Sequence, residues 1–388
     1  MGRPKRSEQF DPNEIGIVHC YQRCVRRAFL AGLDPLTGKS FEFRREAIRR
    51  RLELISAVFG LDVLTYSVLS NHLHVVLRTR PDVVKTWSDQ QVATHWLQLF
   101  PGKRLEEHLG TPTQAQIAML LQDTAKLNEI RVRLSDVSWF MKALAEPIAR
   151  LANRQDGVSG HFWEGRFKAQ KIVDEAGLLA CAMYVDLNPI RAAMAQSLES
   201  SRYTSVYDRL LGQRGQQIVS AAKEEVAPEE AIGSDAPGSQ AEGSVPGVKG
   251  KGLGLRGMRI QQDAWLSPFE LDELAQIGPL ASSTGLRASD KGFLSMSFTD
   301  YVVLLDWTGR QGRSDKRGKI PSTVAPILER LGVDGSLWCD LVWNFKKYFG
   351  RSGALGKPEN LKQEAAKRNR QWVCGQRKAA ACFTSEVA

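Results

Sequence analysis

Long apolar runs are missing from this sequence: none approaches the ~18 residues a membrane-spanning helix needs, so no membrane partner is expected. Cysteine is sparse. The six thiols, Cys20, Cys24, Cys181, Cys339, Cys374 and Cys382, are too few in 388 residues for a disulfide framework and predict a reduced, cytoplasmic protein. The first ten residues are basic but have no apolar stretch of the export type, and Arg6 stands where N-myristoylation asks for Ser or Thr. Zinc spacing is lacking too: Cys20 and Cys24 have no second pair, and His95, His108 and His161 stand apart. Gly38-Lys39-Ser40 ends like a phosphate-binding loop, but its upstream Gly32 is out of register and Pro35 interrupts, so no nucleotide or other small-molecule cofactor is expected.

What the chain has in excess is positive charge. Lys and Arg number 53 against 43 Asp and Glu, a net charge of +10 that favours an anionic partner. The charge is unevenly spread. Residues 217–250 hold six acidic residues against Lys223 and Lys249, in a stretch rich in Gly, Pro, Ser and Ala without an aromatic ring. Such a segment buries too little apolar surface to offset its chain entropy. A flexible acidic linker over 217–257 is therefore predicted, and the rest of the chain carries about +14.

The linker divides the chain into a first part, 1–216, and a mainly helical second part, 258–388. In the first part Ile15–Tyr21 reads as a strand, 43–58 as a helix with Ala47, Ile48, Leu52 and Ile55 on one face, and 63–78 as a hairpin turning at Ser70-Asn71. Helical spacing returns at 136–153, a strand within 160–173, and a helix at 174–193 with Asp174 as its N-cap. Between hairpin and helix, 81–135 reads as a helical insertion around Val92, Trp96, Leu99, Ile117, Leu120 and Leu121. The order suits an α+β fold with helices on one face of an antiparallel sheet.

The residues that can do chemistry are few. In Asn71-His72-Leu73-His74-Val75 the strand period of two projects both imidazoles to one side, a half-site for a divalent metal, although such pairs are also ordinary polar strand faces. Downstream, Tyr184 and Asn188 lie four apart and share a helix face, with Pro189 just beyond. A phenol and an amide are presented together, as they also are by a buried Tyr beside a capping Asn.

His72-Leu73-His74, His161-Phe-Trp-Glu-Gly-Arg-Phe-Lys-Ala-Gln170 and Tyr184-Val-Asp-Leu-Asn-Pro-Ile-Arg-Ala192, together with the opening Tyr21–Leu30, resemble the single-tyrosine HUH transposases, especially the REP-associated tyrosine transposases (RAYTs). The resemblance covers 15–210. It implies a ferredoxin-like (RRM-like) sheet, a metal site at His72 and His74 completed by Asn188, and Tyr184 as nucleophile on single-stranded DNA. The implied cofactor is Mg²⁺ or Mn²⁺. The implied activity is a transposase-like single-strand endonuclease and strand transferase acting on hairpin or palindromic DNA through a 5′-phosphotyrosyl intermediate. The stretch 81–135, longer than in the compact family members, is a departure from the family's pattern.

Arg23, Arg26, Arg27, Arg44 and Arg45, with Trp163, Arg166 and Lys168, combine cations and rings as single-strand binders do, and are the expected DNA contacts. In the second part, Asn344-Phe345-Lys346-Lys347-Tyr348-Phe349 repeats that alternation, so an accessory DNA-binding role is expected there. The partner is thus single-stranded or hairpin DNA, met by a monomer or homodimer. The alternative of another class is a catalytically inactive hairpin-binding regulator; a zinc hydrolase is the weaker enzymatic reading, for want of a third strong ligand and a carboxylate base.

Overall fold

The computed structural model describes residues 10–25, 31–33, 38–101, 110–226, 262–274, 276–312, 321–323, 325–349, 353–373, 376–381 and 383. Strand β1 (Ile17–Arg23) leads to helix α1 (Phe43–Ser56), and β2 (Leu61–Val68) turns into β3 (His72–Thr79). Residues 81–133 carry four short helices, α2 (Pro81–Thr86), α3 (Asp89–Leu99), α4 (Gln114–Leu121) and α5 (Thr124–Arg133). Then follow α6 (Val137–Gln155), β4 (Lys168–Ile172), α7 (Glu175–Asp186), α8 (Asn188–Arg191) and α9 (Ser205–Val226). The second part contributes α10 (Phe298–Gln311), α11 (Ala325–Arg330), α12 (Gly335–Trp343), α13 (Phe345–Phe349), β5 (Ala354–Leu355), α14 (Pro358–Lys367) and α15 (Gln376–Ala380).

The sheet order is β2-β3-β1-β4-β5. With α1 between β1 and β2 and α6 between β3 and β4, its first four strands form a ferredoxin-like split βαβ arrangement, antiparallel at every pairing. β5 joins β4 in parallel, so the sheet is mixed at the edge supplied by the second part.

Alternation in the strands loads both faces. Val18, Cys20, Val63, Leu73, Val75 and Leu77 meet Ile48, Leu52 and Ile55 of α1 and Phe140, Leu144 and Ile148 of α6. These spacings of three and four put one apolar stripe of each helix on the sheet. The expectation of helices on one face is corrected on the opposite side, where α7 covers Leu64, Val76 and Ile172 and is itself covered by Leu304, Leu305, Trp338, Leu341 and Val342. Every α7 residue from Ala176 to Asp186 is buried, because Ala176-Gly-Leu-Leu-Ala-Cys-Ala-Met-Tyr-Val185 is apolar all round and needs cover on both sides.

The second part is therefore not an appended unit. Asp62 on β2, fully buried, accepts from Arg78 Nη2 at 2.7 Å and from the backbone N–H of Ser289 at 2.9 Å, while Arg78 donates to the carbonyls of Lys291 and Gly292. At the other edge, N-cap Asp174 accepts from Gly177 N–H at 2.8 Å and from Lys357 N–H at 2.6 Å, so one carboxylate starts α7 and holds the loop after β5. A Cβ on Gly177 would lie 3.0 Å from the Gly356 backbone, which is why the first turn of α7 carries glycine. Helix α9 runs to Val226, past the predicted start of the linker at 217; residues 227–261 lie outside the described residues.

The Asp62 network predicts a large, local stability effect. Asp62→Ala would leave Arg78 buried without its carboxylate, and breaking such a pair from one side costs about 3–5 kcal/mol. A urea titration should show the midpoint falling with an unchanged slope.

Candidate active site

Strand parity and pairing build the site. His19 and Tyr21 on β1, His72 and His74 on β3, and Lys168 and Gln170 on β4 all project toward α7. The register sets Tyr21 opposite His74 and His19 opposite Gln170. The rings of His72 and His74 are 5.0 Å apart, and His74 lies 5.1 Å from His19. Above them α7 brings Tyr184, whose ring meets His74 edge-on at 5.5 Å. A cavity of about 480 Å³ opens here, lined by these side chains together with Gln22, Arg23, Glu164, Gly165, Arg166, Phe345 and Lys346.

Three atoms define what the cavity can do. His72 Nε2, His74 Nε2 and Tyr184 Oη are buried and make no hydrogen bond. A buried polar atom left unpaired costs roughly 1–3 kcal/mol, and here three such atoms belong to side chains that line one cavity. His72 Nδ1 faces Asn71 Oδ1 at 2.5 Å and therefore carries the proton, leaving Nε2 as a bare lone pair. Burial, reinforced by Lys346 and Arg23, pushes His72 down to about 4, and His74 also lies well below the ordinary range through burial beside His72 and His19. Both imidazoles are neutral at pH 7, the form that binds a metal.

Those two nitrogens fit half of a divalent metal site. Asn188, the third ligand that the resemblance implies, opens α8 buried with Nδ2 unpartnered, and its side chain lies close enough to Tyr184 to lower the phenol. Among the described residues no cluster of three His, Cys, Asp or Glu side chains has metal-binding geometry. His72 and His74 would thus hold a metal with water or a phosphate oxygen completing the shell. Asp186, between Tyr184 and Asn188, faces away: it accepts from Ser205 at 2.6 Å and from Tyr301 at 2.7 Å.

Tyr184 is 1 % exposed, with Phe345 stacked on its ring at 4.4 Å and the Arg191 guanidinium 4.9 Å from the ring centre. Burial raises the phenol above its usual value, and Arg191 and Asn188 pull it back. Arg23, Arg166, Lys168 and Lys346 line the cavity against one carboxylate, Glu164. Lys346 is held below the usual lysine range by burial and by Arg23, Arg191 and Lys168, the signature of cations gathered without their anion.

The predicted DNA contacts divide accordingly. Arg23, Arg166 and Lys168 reach the cavity. Arg26 and Arg27 lie outside the described residues. Arg44 is corrected to a structural role: 1 % exposed, it pairs with Asp156 at 2.5 Å and donates to Gln155. Arg45 pairs with Glu42 at 3.2 Å and lies over Tyr203. Trp163 is partly buried: its indole N–H donates to the Ala145 carbonyl at 2.9 Å and its ring packs against Phe162 and the core. Phe345 and Phe349 are core residues, not exposed stacking rings.

Sequence reasoning missed His19, Gln170 and Arg191, and placed Lys346 at a remote accessory surface. The signal for His19 was present, two residues before Tyr21 and out of phase with Val18 and Cys20. For Lys346 no local signal exists.

Two predictions follow from these placements. If the cavity takes the single-stranded DNA expected from the sequence, Arg166→Ala and Lys168→Ala should each lower the affinity and reduce the salt slope by about one, whereas Arg44→Ala should leave the slope unchanged and lower stability. Fluorescence anisotropy at two salt concentrations separates them. As for pH, His19 is also held near 4 by burial, so the unfolded chain takes up protons at about 6.5 that the folded chain refuses. Stability should therefore fall as pH drops from about 6.5 to about 4, partly offset by Asp208, raised to about 6 by burial, which acts with the opposite sign. Urea midpoints at pH 7 and pH 5 test this.

A strand-borne histidine pair facing a helix-borne tyrosine across a cationic cavity is the arrangement that comparisons with known proteins have to match. No family model and no curated protein matches the chain. A solved REP-associated tyrosine transposase bound to a REP hairpin aligns over 60 % of this chain and 93 % of that one, at 11 % identity and a TM-score of 0.28, an overlap too low to carry an argument about function.

Proposed function

We propose that the chain is a metal-dependent single-strand DNA endonuclease and strand transferase that acts on hairpin or palindromic DNA through a phosphotyrosyl intermediate. The observation that carries this reading is the convergence of three unpartnered buried atoms, Tyr184 Oη and the Nε2 atoms of His72 and His74, on one cavity rich in cations. Mg²⁺ or Mn²⁺ held at His72 and His74 would supply charge neutralisation at the scissile phosphate.

The chain's own residues do the rest. Tyr184 Oη forms the new bond to phosphorus as the P–O3′ bond breaks; the phenol proton is lost and the leaving 3′ oxygen gains one. The product is a 5′-phosphotyrosyl bond and a free 3′-OH, which can attack in reverse and join strands. Arg23, Arg166, Lys168 and Lys346 bind and orient the phosphate chain, and stabilise the charge spread over the phosphoryl oxygens. Phe345 holds the Tyr184 ring in one orientation by stacking.

The same stack favours a second reading, a catalytically inactive hairpin-binding regulator, because it leaves Tyr184 almost wholly covered. One experiment separates the two. Incubating the full chain with a labelled single-stranded hairpin and Mn²⁺, then denaturing, should leave a covalent protein–DNA adduct that EDTA prevents. Tight hairpin binding with no adduct would select the regulator.

A further inference from the structure

His19 and Gln170 have no place in the chemistry above, yet both are almost fully buried beneath it, at 1 % and 4 % exposure. Gln170 Nε2 lies 2.5 Å from the main-chain carbonyl of Phe349. A carbonyl only accepts, so this end of the amide is the NH₂ and the other end, Oε1, is an acceptor. Oε1 faces His19 Nδ1 at 3.2 Å, so His19 Nδ1 carries the proton and its Nε2 is bare. That Nε2 faces His74 Nδ1 at 2.8 Å, which must therefore be the donor. The last member of the chain, His74 Nε2, is left as a lone pair, and it is the buried unpartnered atom of the cavity.

We propose that His19 and Gln170 are positioning residues that hold His74 in its Nδ1-protonated form with Nε2 directed into the cavity, the direction of the chain being set by the Phe349 carbonyl. The inference rests on the reading of His74 as a metal ligand, and it specifies how the fold prepares that ligand. A neutral imidazole offers one lone pair; which nitrogen offers it depends on the hydrogen bond made by the other. His72 obtains the same form locally from Asn71. His74 obtains it from three other elements, β1, β4 and the end of α13, so the second part of the chain reaches the site through a main-chain carbonyl.

The test uses the full chain, metal-free, with ¹⁵N-labelled histidine. Long-range ¹H–¹⁵N correlation spectra should show His19, His72 and His74 protonated at Nδ1. Mn²⁺ titration followed by electron paramagnetic resonance should then show affinity about 10–100-fold weaker in His19→Phe, the loss typical when a ligand's supporting partner is removed. In that variant the His74 proton should redistribute to Nε2. His19→Gln, whose amide oxygen can accept from His74 Nδ1, should recover most of both. Should His19→Phe fail to fold, Gln170→Met gives the same readouts one step back. A wild-type His74 protonated at Nε2 would overturn the proposal, as would unchanged tautomer and affinity in the folded variants. A wild-type protein with His74 protonated at Nδ1 that binds no Mn²⁺ would support the positioning chain and reject the metal reading instead.

Discussion

Tyr184→Phe should abolish the covalent adduct completely while hairpin affinity stays within about twofold and stability does not fall. The first outcome follows because only the phenolic oxygen can bond to phosphorus. The second follows because the ring remains and so does its stack on Phe345. The third is the more telling. A buried tyrosine hydroxyl that is hydrogen-bonded contributes about 0.5–1.5 kcal/mol, but Tyr184 Oη makes no hydrogen bond of full geometry and has only Arg191 and Asn188 close by, so removing it should cost little or nothing. Tyr66 and Tyr301 provide the contrast: their hydroxyls donate to Asp208 and Asp186 at 2.8 and 2.7 Å, and their Phe variants should be destabilised. Urea titrations of the three variants, with adduct gels for Tyr184→Phe, measure all of this. Persistence of the adduct in Tyr184→Phe would remove Tyr184 as the nucleophile.

Deleting residues 258–388 should prevent the remaining chain from folding, rather than merely weaken DNA binding. The sequence divides the chain into a first part, 1–216, and an accessory second part, but the two share one core. Without the second part, α7 loses the cover of Leu304, Leu305, Trp338, Leu341 and Val342, and Asp62, Arg78 and Asp174 lose partners. Each large apolar side chain stripped of cover costs roughly 1.5–3 kcal/mol. Five or six such losses match the about 5–15 kcal/mol by which whole domains are stable. Circular dichroism melts of the truncated chain should show no cooperative transition, and its adduct formation should be lost with the fold. A cooperative melt close to that of the full chain would show that the shared core is dispensable.

The deletion also bears on the chemistry. Lys346 lines the cavity, Phe345 stacks on Tyr184, and the Phe349 carbonyl receives the amide of Gln170. The proposed catalytic assembly, drawn from 1–216 alone, would lack a cation, a ring support and an anchor, even if it folded.

Local pattern made much of this legible. The alternation in His72-Leu73-His74-Val75 was enough to place both imidazoles on one face and both aliphatic residues on the other, because the strand period is two and tolerates no other split. The Asp174 cap, the apolar stripes of α1 and α6, and the four-residue step from Tyr184 to Asn188 were likewise written in spacing, since each depends only on helix geometry. What spacing left open was which faces meet. Antiparallel pairing of β1 with β3 and β4, decided by the whole core, sets His19 beside His74 and Gln170 and makes a hydrogen-bonded chain from residues 55 and 151 positions from His19 in sequence. Burial sorted the arginines: Arg44 and Arg45 stand in the same basic run, and only packing against Asp156 and Gln155 took Arg44 into the interior. The sequence by itself determined the chemical groups and their local direction; the tertiary structure decided their company, because contacts between distant segments depend on total buried surface and not on any neighbour along the chain.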